Sequence, residues 1–167
     1  MIFNKLPDSA NVWIYTASRS LSADEQVQIS ETLNTFLEDW QSHGRRVSGQ
    51  IEFLDGRFLL IGAHIPDGDI SGCGIDASSR AANVALDLEN LTWLDNLQIS
   101  FRNTAGDVNV VSRPMFREYV EKGQISEDTI VFDLSVTTVA GIRDGRFERS
   151  FKDSWHAGYF LPSAVNK

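Results

Sequence analysis

Hydrophobic residues recur along the chain at two spacings, one typical of strands and one typical of helices. The run from Val12 to Tyr15 is rich in β-branched and aromatic residues and predicts a first strand. Ser22 followed three residues later by Glu25 predicts a helix that begins with a capping box. Its apolar residues recur on one face, at Ile29, Leu33, Phe36, Leu37 and Trp40. Gly44 is predicted to end this helix in the left-handed conformation.

A β-hairpin is predicted directly after this helix. Gln50 to Leu54 and Arg57 to Ile65 are strand-like runs, and the Asp55-Gly56 pair between them favours a tight turn with positive φ at both positions. The second run is almost entirely apolar from Phe58 to Ile61, which is typical of a central strand covered on both faces.

The second half of the chain alternates between helical and strand-like segments. Its apolar pattern and turn residues predict a helix from about Asp76 to Leu91, strands at Leu97–Phe101 and Val108–Val111, a short helix between Ser112 and Gly123, a strand at Ile130–Phe132 and an edge strand within Arg146–Phe151.

The resulting order is β-α-β-β-α-β followed by a further β-α-β. It predicts an α+β fold with an antiparallel or mixed sheet, helices packed mainly on one face, and a ferredoxin-like βαββαβ core whose sheet the later strands extend. A chain of 167 residues fits a single domain over 1–167, and residues 163–167 are predicted to form a frayed tail.

The composition excludes several classes of function. The formal net charge of −8 disfavours binding to nucleic acid or to an anionic membrane surface, because both carry negative charge. The single cysteine excludes an internal disulfide and every multi-cysteine zinc motif. The N-terminal residues lack the apolar stretch of a signal peptide, and no apolar run approaches the length of a membrane helix. A cytoplasmic location is therefore expected.

Several segments resemble those of an uncharacterised family of short Bacteroidetes proteins that are commonly labelled "ABC transporter ATPase". The resemblance rests on Leu6–Tyr15, Ser71–Asp76, Asp128–Phe132 and Asp153–His156, whose order and spacing are comparable over nearly the whole chain. The family's cysteine segment more often reads Ser-Gly-Cys-Ser, whereas Gly74 stands here in place of the second serine. The resemblance implies no assigned reaction or site.

The ATPase label of that family finds no support in this sequence. A phosphate-binding P-loop needs glycines followed by a lysine that reaches the terminal phosphates. No lysine occurs between Lys5 and Lys122, so no such motif can be written. The sequence therefore predicts neither an ATPase nor any cofactor.

The most suggestive chemistry lies in the loop predicted before the second helix. Cys73 stands between two glycines near a helix N-terminus, where the dipole favours an anion and can activate a thiol. One hypothesis is a nucleophilic or redox-sensitive thiolate, with His156 as base and Asp153 orienting the imidazole. The alternative is a packed, inert cysteine, since free cysteine is among the most buried residue types. The structural interpretation of the Asp153–His156 segment is a turn or one-turn helix whose Trp155 is buried in the core.

The same loop is also a candidate anion site. Its backbone N–H groups at Ser71, Gly72 and Gly74 could converge on an anion, with Arg80 adding charge from the following helix. Asp76, the predicted N-cap, argues against both hypotheses because its carboxylate repels an anion. The three histidines have no metal-binding spacing, so no metal site is predicted.

Two classes of function stay open. The first is a non-catalytic binding or interaction protein, including a homo-oligomer, with Trp13, Tyr15 and the strand at Leu97 on an uncovered face. The second is a small enzyme or ligand-binding protein that uses the Ser71–Asp76 loop with His156. The first is favoured, because no complete catalytic constellation can be written.

Overall fold

The computed structural model describes residues 1–86, 88 and 90–161, and it shows an α+β protein, which confirms the predicted class. By their internal contacts the residues form two units. The first is Met1–Leu94 with Thr137–Arg143, and the second is Asp95–Val136 with Asp144–Lys167. The single domain predicted over 1–167 stays a prediction, and the predicted tail at 163–167 lies outside the described residues.

Strands and helices are interspersed along the described chain. In chain order they are β1 (Asn11–Ala17), α1 (Ala23–Asp39), β2 (Gln41–Ser42), β3 (Arg45–Arg46), β4 (Ser48–Leu54), β5 (Phe58–His64), α2 (Gly72–Val84), β6 (Trp93–Leu94), β7 (Ile99–Arg102), β8 (Val108–Val111), α3 (Arg113–Glu121), β9 (Ile130–Phe132), α4 (Val139–Arg143), β10 (Glu148–Ser150), a 3₁₀ turn (Phe151–Asp153) and α5 (Trp155–Phe160). None of these helices is both long and apolar enough to cross a bilayer.

The first unit contains an antiparallel sheet with the strand order β4-β5-β1-β6. Strand β5 lies between β1 and β4, so α1 connects two strands that run in the same direction. This is a split β-α-β arrangement. The ferredoxin-like assignment itself stays a prediction.

Helices α1 and α2 cover one face of this sheet. Ile29 and Leu33 of α1 and Ala82 of α2 form a buried cluster with sheet residues such as Leu59 and Ile61. Trp13 and Tyr15 pack against the same cluster, and the Trp13 ring lies 6.4 Å from that of Trp40. The prediction that Trp13 and Tyr15 lie on an uncovered face is therefore wrong.

The local signals around α1 are partly confirmed. The Ser22 hydroxyl accepts a hydrogen bond from the Glu25 N–H, and the Glu25 carboxylate accepts one from the Ser22 N–H, as the capping box requires. Gly44, however, does not end the helix. The helix ends at Asp39, and Gly44 forms with His43 the turn between β2 and β3, where both residues have positive φ. A hairpin turn uses the same left-handed conformation that ends many helices.

The Asp55-Gly56 turn is confirmed. Both residues have positive φ, the Arg57 N–H donates to the Leu54 carbonyl, and β4 pairs with β5 along its whole length. Strand β5 is buried from its first residue to Ala63, as expected for a central strand.

The second unit has its own antiparallel sheet, in the order β10-β9-β7-β8. The prediction that the later strands extend the first sheet is therefore wrong, and the first sheet ends beyond β1 with the two-residue β6. Leu97 itself precedes β7 and is 64% exposed. The core of the second unit is aromatic, with Phe116 of α3 making edge-to-face contacts to Phe101, Phe151 and Phe160.

Candidate functional site

The predicted thiol loop is part of a helix in the first unit. Helix α2 begins at Gly72, and its N-cap is Ser71, whose hydroxyl accepts a hydrogen bond from the Gly74 N–H at 3.1 Å. The prediction that Asp76 caps this helix is wrong. Asp76 lies about one turn inside the helix. Ser71 is also a favourable N-cap residue, and Ser42 holds it in place by accepting a hydrogen bond from the Ser71 N–H at 2.8 Å.

Cys73 is exposed on the first turn of α2, so the prediction of a packed cysteine is wrong, while the reactivity of its thiol stays a prediction. Ser71, Gly72 and Gly74 share that turn, but the Gly74 N–H is already used by the cap. Arg80 is the ninth residue of α2, about 12 Å along the helix axis from Gly72. The predicted anion-binding set is thus divided between two ends of one helix, and this turn shows no second feature that points to a ligand.

His156 belongs to the second unit, whereas Cys73 belongs to the first. The thiol–imidazole pairing therefore stays a prediction. Within the second unit, His156 and Phe160 are one helical turn apart on the buried face of α5. Trp155 and Tyr159 occupy the other face and are 41% and 51% exposed. The prediction that Trp155 is buried in the core is wrong. The neighbouring His156, only 1% exposed, is the side chain that packs there.

The hydrogen bonds of Ser154 determine the tautomer of His156. The Ser154 hydroxyl donates to the Phe151 carbonyl at 2.8 Å, so at His156 Nδ1, 3.2 Å away, it acts as acceptor. Nδ1 therefore carries the proton, and Nε2 is an acceptor. Asp153 instead accepts from the Ser150 hydroxyl at 2.7 Å, so the structure gives the orienting role to Ser154 rather than Asp153.

Burial keeps the imidazole neutral. Removal from water lowers the pKa of His156 from 6.5 to about 4, the carboxylate of Asp133 opposes this shift, and the guanidinium of Arg113 adds to it. At neutral pH the Nε2 atom therefore presents a lone pair, and among the described residues no group donates a hydrogen bond to it.

The imidazole lines a cavity of about 210 Å³ in the second unit. Its polar lining comes from Asn96, Gln98, Arg113, Ser135 and His156, and its apolar lining from Phe132, Leu134 and Trp155. The cavity thus combines a cation, two amides, a hydroxyl and a neutral acceptor with an aromatic wall, which is the composition of a small-ligand site.

Backbone and ring contacts hold the cavity walls. The Arg113 Nε donates to the Leu97 carbonyl at 3.2 Å, and its guanidinium lies 5.9 Å from the Trp155 ring centre. The Trp155 ring stacks on His156 with centres 3.9 Å apart. The buried Asp133 accepts from both the Ser135 N–H and its hydroxyl, which fixes the loop after β9.

Sequence reasoning selected His156 but missed the other polar residues of this cavity. Asn96, Gln98, Arg113 and Ser135 come from three separate segments, and no spacing links them to His156. The only usable local signal was Arg113 at the N-terminus of a helix, a position where an arginine opposes the helix dipole.

Two other kinds of site are not supported. The described residues contain no group of three or more His, Cys, Asp or Glu side chains able to hold a metal ion. A wider groove of about 570 Å³ in the second unit is lined by residues such as Asn103, Ser126 and Thr129. Asn103 Oδ1 and Thr129 Oγ1 already accept hydrogen bonds from backbone N–H groups of the adjacent turns.

No family model, curated protein or solved structure matches this chain. Membership of the Bacteroidetes family named above therefore stays a prediction.

Proposed function

We propose that this protein binds a small carboxylic acid in the cavity beside His156, and that the ligand also carries an N–H or O–H donor. The observation that carries the proposal is the neutral, buried imidazole whose Nε2 has no donor among the described residues and which lines a cavity together with an arginine. Within the described part of the chain, Nε2 is not among the fully buried polar atoms that lack a partner, so at the cavity wall it can accept a hydrogen bond from a ligand donor in place of water.

Each part of the lining has a complementary part in such a ligand. The Arg113 guanidinium can pair with a carboxylate through two parallel hydrogen bonds, a geometry that arginine offers and lysine does not. His156 Nε2 accepts the ligand's donor, and Trp155 provides an apolar wall for its carbon skeleton. A binding protein rather than an enzyme is favoured, because the cavity contains an acceptor and a cation but no aligned nucleophile among the described residues. A cytoplasmic location stays a prediction.

A fragment screen by NMR tests this proposal. The library pairs small carboxylic acids, each with an N–H or O–H donor, with their primary amides, and binding is followed through the ¹⁵N-labelled backbone and the Trp155 indole. We expect acids to bind and their amides to bind at least about tenfold more weakly, since the charged hydrogen bond is lost. Amides that bind equally well would contradict the assigned role of Arg113.

Two substitutions localise the binding. Asn96→Trp places a large ring at an exposed wall of the cavity and should abolish binding without disturbing the core. Asn109→Trp is the matched control, because Asn109 is also exposed but lines the separate groove. Equal loss of binding in both variants, or in neither, would refute the proposed site.

A further inference from the structure

Two rows of side chains meet on the surface formed by α3 and α5. Trp155 and Tyr159 are exposed on one face of α5, and Arg113 and Arg117 are one turn apart on α3. Both guanidinium groups lie 5.4 Å from the centre of the Tyr159 ring. We call these four residues the Arg-aromatic surface.

The arginines of this surface differ in their pairing from others in the protein. Arg19, Arg102, Arg143 and Arg146 each form a salt bridge with a carboxylate. Neither Arg113 nor Arg117 forms a salt bridge among the described residues; Arg113 donates to the Leu97 carbonyl, and both guanidinium groups lie against aromatic rings. Because the protein as a whole carries a net charge of −8, direct pairing with these two guanidinium groups rather than long-range attraction would hold an acidic partner here.

The composition of the surface is typical of a protein-binding hot spot. Tryptophan, tyrosine and arginine are the residue types that contribute most to binding energy at interfaces. A ring that lies under a guanidinium restrains the arginine before a partner arrives, which lowers the entropy lost on binding.

We propose that the Arg-aromatic surface docks an acidic peptide segment of a partner protein, whose carboxylates pair with Arg113 and Arg117 and whose apolar side chains contact Trp155 and Tyr159. Charge complementarity selects this partner. A symmetric dimer through the same surface would place two pairs of arginines against each other, which is unfavourable. Arg113 and Trp155 also line the His156 cavity, whereas Arg117 and Tyr159 do not, so Arg117 and Tyr159 are the residues that distinguish this proposal from ligand binding in the cavity.

Selection from displayed peptides tests the proposal with the full chain. One library of short peptides is enriched in Asp and Glu, and a matched library has Asn and Gln at the same positions. We expect binders only from the acidic library, and we expect their affinity to fall about tenfold or more in Arg117→Glu and to fall with added salt. Tyr159→Ala, at a half-exposed position, should weaken the same peptides.

Arg80→Glu is the matched control, because Arg80 is also an exposed helical arginine and lies in the first unit. It should change peptide affinity less than about twofold, since only screened long-range charge is altered. Three outcomes would overturn the proposal: no enrichment of acidic peptides, equal effects of Arg80→Glu and Arg117→Glu, or sedimentation showing that Arg117→Glu abolishes a dimer of the free protein. Fragment binding in the His156 cavity should persist in Arg117→Gln, which removes the charge without placing a carboxylate one turn from Arg113, so the two proposals can fail separately.

Discussion

Because His156 is buried as a neutral imidazole, the second unit should lose stability at pH values above those at which most carboxylates titrate. Burial lowers the pKa of this imidazole from 6.5 to about 4. The unfolded chain therefore binds the proton more tightly than the folded chain, and stability is lost as the pH falls from 6.5 towards 4. The shift corresponds to about 3 kcal/mol in total, of which about 2 kcal/mol is lost between pH 7 and pH 5.

Urea unfolding followed by NMR measures this loss in the unit that contains His156. The amide signal of Val131, which is fully buried in β9, reports on that unit. We expect His156→Phe, whose ring stays neutral, to remove most of the stability change between about pH 7 and pH 5. The comparison uses the slope of the free energy of unfolding against pH, so any loss of stability that the substitution causes equally at all pH values cancels.

His43→Asn is the control for this experiment. His43 is exposed in the turn between β2 and β3, and asparagine tolerates its positive φ. The variant should keep the pH dependence of the wild type. An unchanged slope in His156→Phe, or a His156 pKa near 6.5 by NMR titration, would refute the reasoning.

Three further predictions concern the supporting structure. Ser154→Ala leaves the buried His156 Nδ1–H without an acceptor and should lower the free energy of unfolding in urea by about 1–3 kcal/mol. A smaller loss than that caused by replacing an exposed serine with alanine would contradict the assigned hydrogen bond. In Gly62→Ala the new Cβ would lie 2.6 Å from Leu6 Cδ1, so we expect the free energy of unfolding to fall by about 1–3 kcal/mol. Gly72→Ala has open space on the first turn of α2 and should leave stability unchanged or raise it. Equal shifts of the melting temperature in the two variants would be inconsistent with this packing. Cys73 should react with a thiol reagent in the native protein as completely as in the urea-unfolded protein, and protection in the native state would show that the thiol is covered.

Features that depend on neighbouring residues could be predicted from the sequence. The capping box of Ser22 and Glu25 and the turn at Asp55-Gly56 rest on hydrogen bonds and φ values within four residues, so the local pattern is sufficient. Gly44 was ambiguous, because a helix end and a hairpin turn both use positive φ. Asp76 was predicted as the N-cap of α2, but Ser71 occupies that position, and its hydrogen bonds with the distant Ser42 are part of what favours it.

Features that depend on distant contacts could not be predicted in this way. The second sheet is built by pairing β7 with β9, which no local spacing encodes. The orientation of α5 decides that His156 rather than Trp155 is buried, and this orientation depends on the contacts of Phe160 with Phe116 in α3. The cavity likewise assembles residues from separate segments, so only His156 could be selected in advance.

The state of one nitrogen atom tests the central claim most directly. A long-range ¹H–¹⁵N correlation spectrum of the His156 ring at about pH 7 distinguishes a protonated nitrogen from one with a free lone pair. We predict a protonated Nδ1, an unprotonated Nε2, and a marked shift of Nε2 when a carboxylic acid fragment with a donor group is added. A proton on Nε2, or an Nε2 resonance that stays unchanged while such fragments bind, would contradict the account.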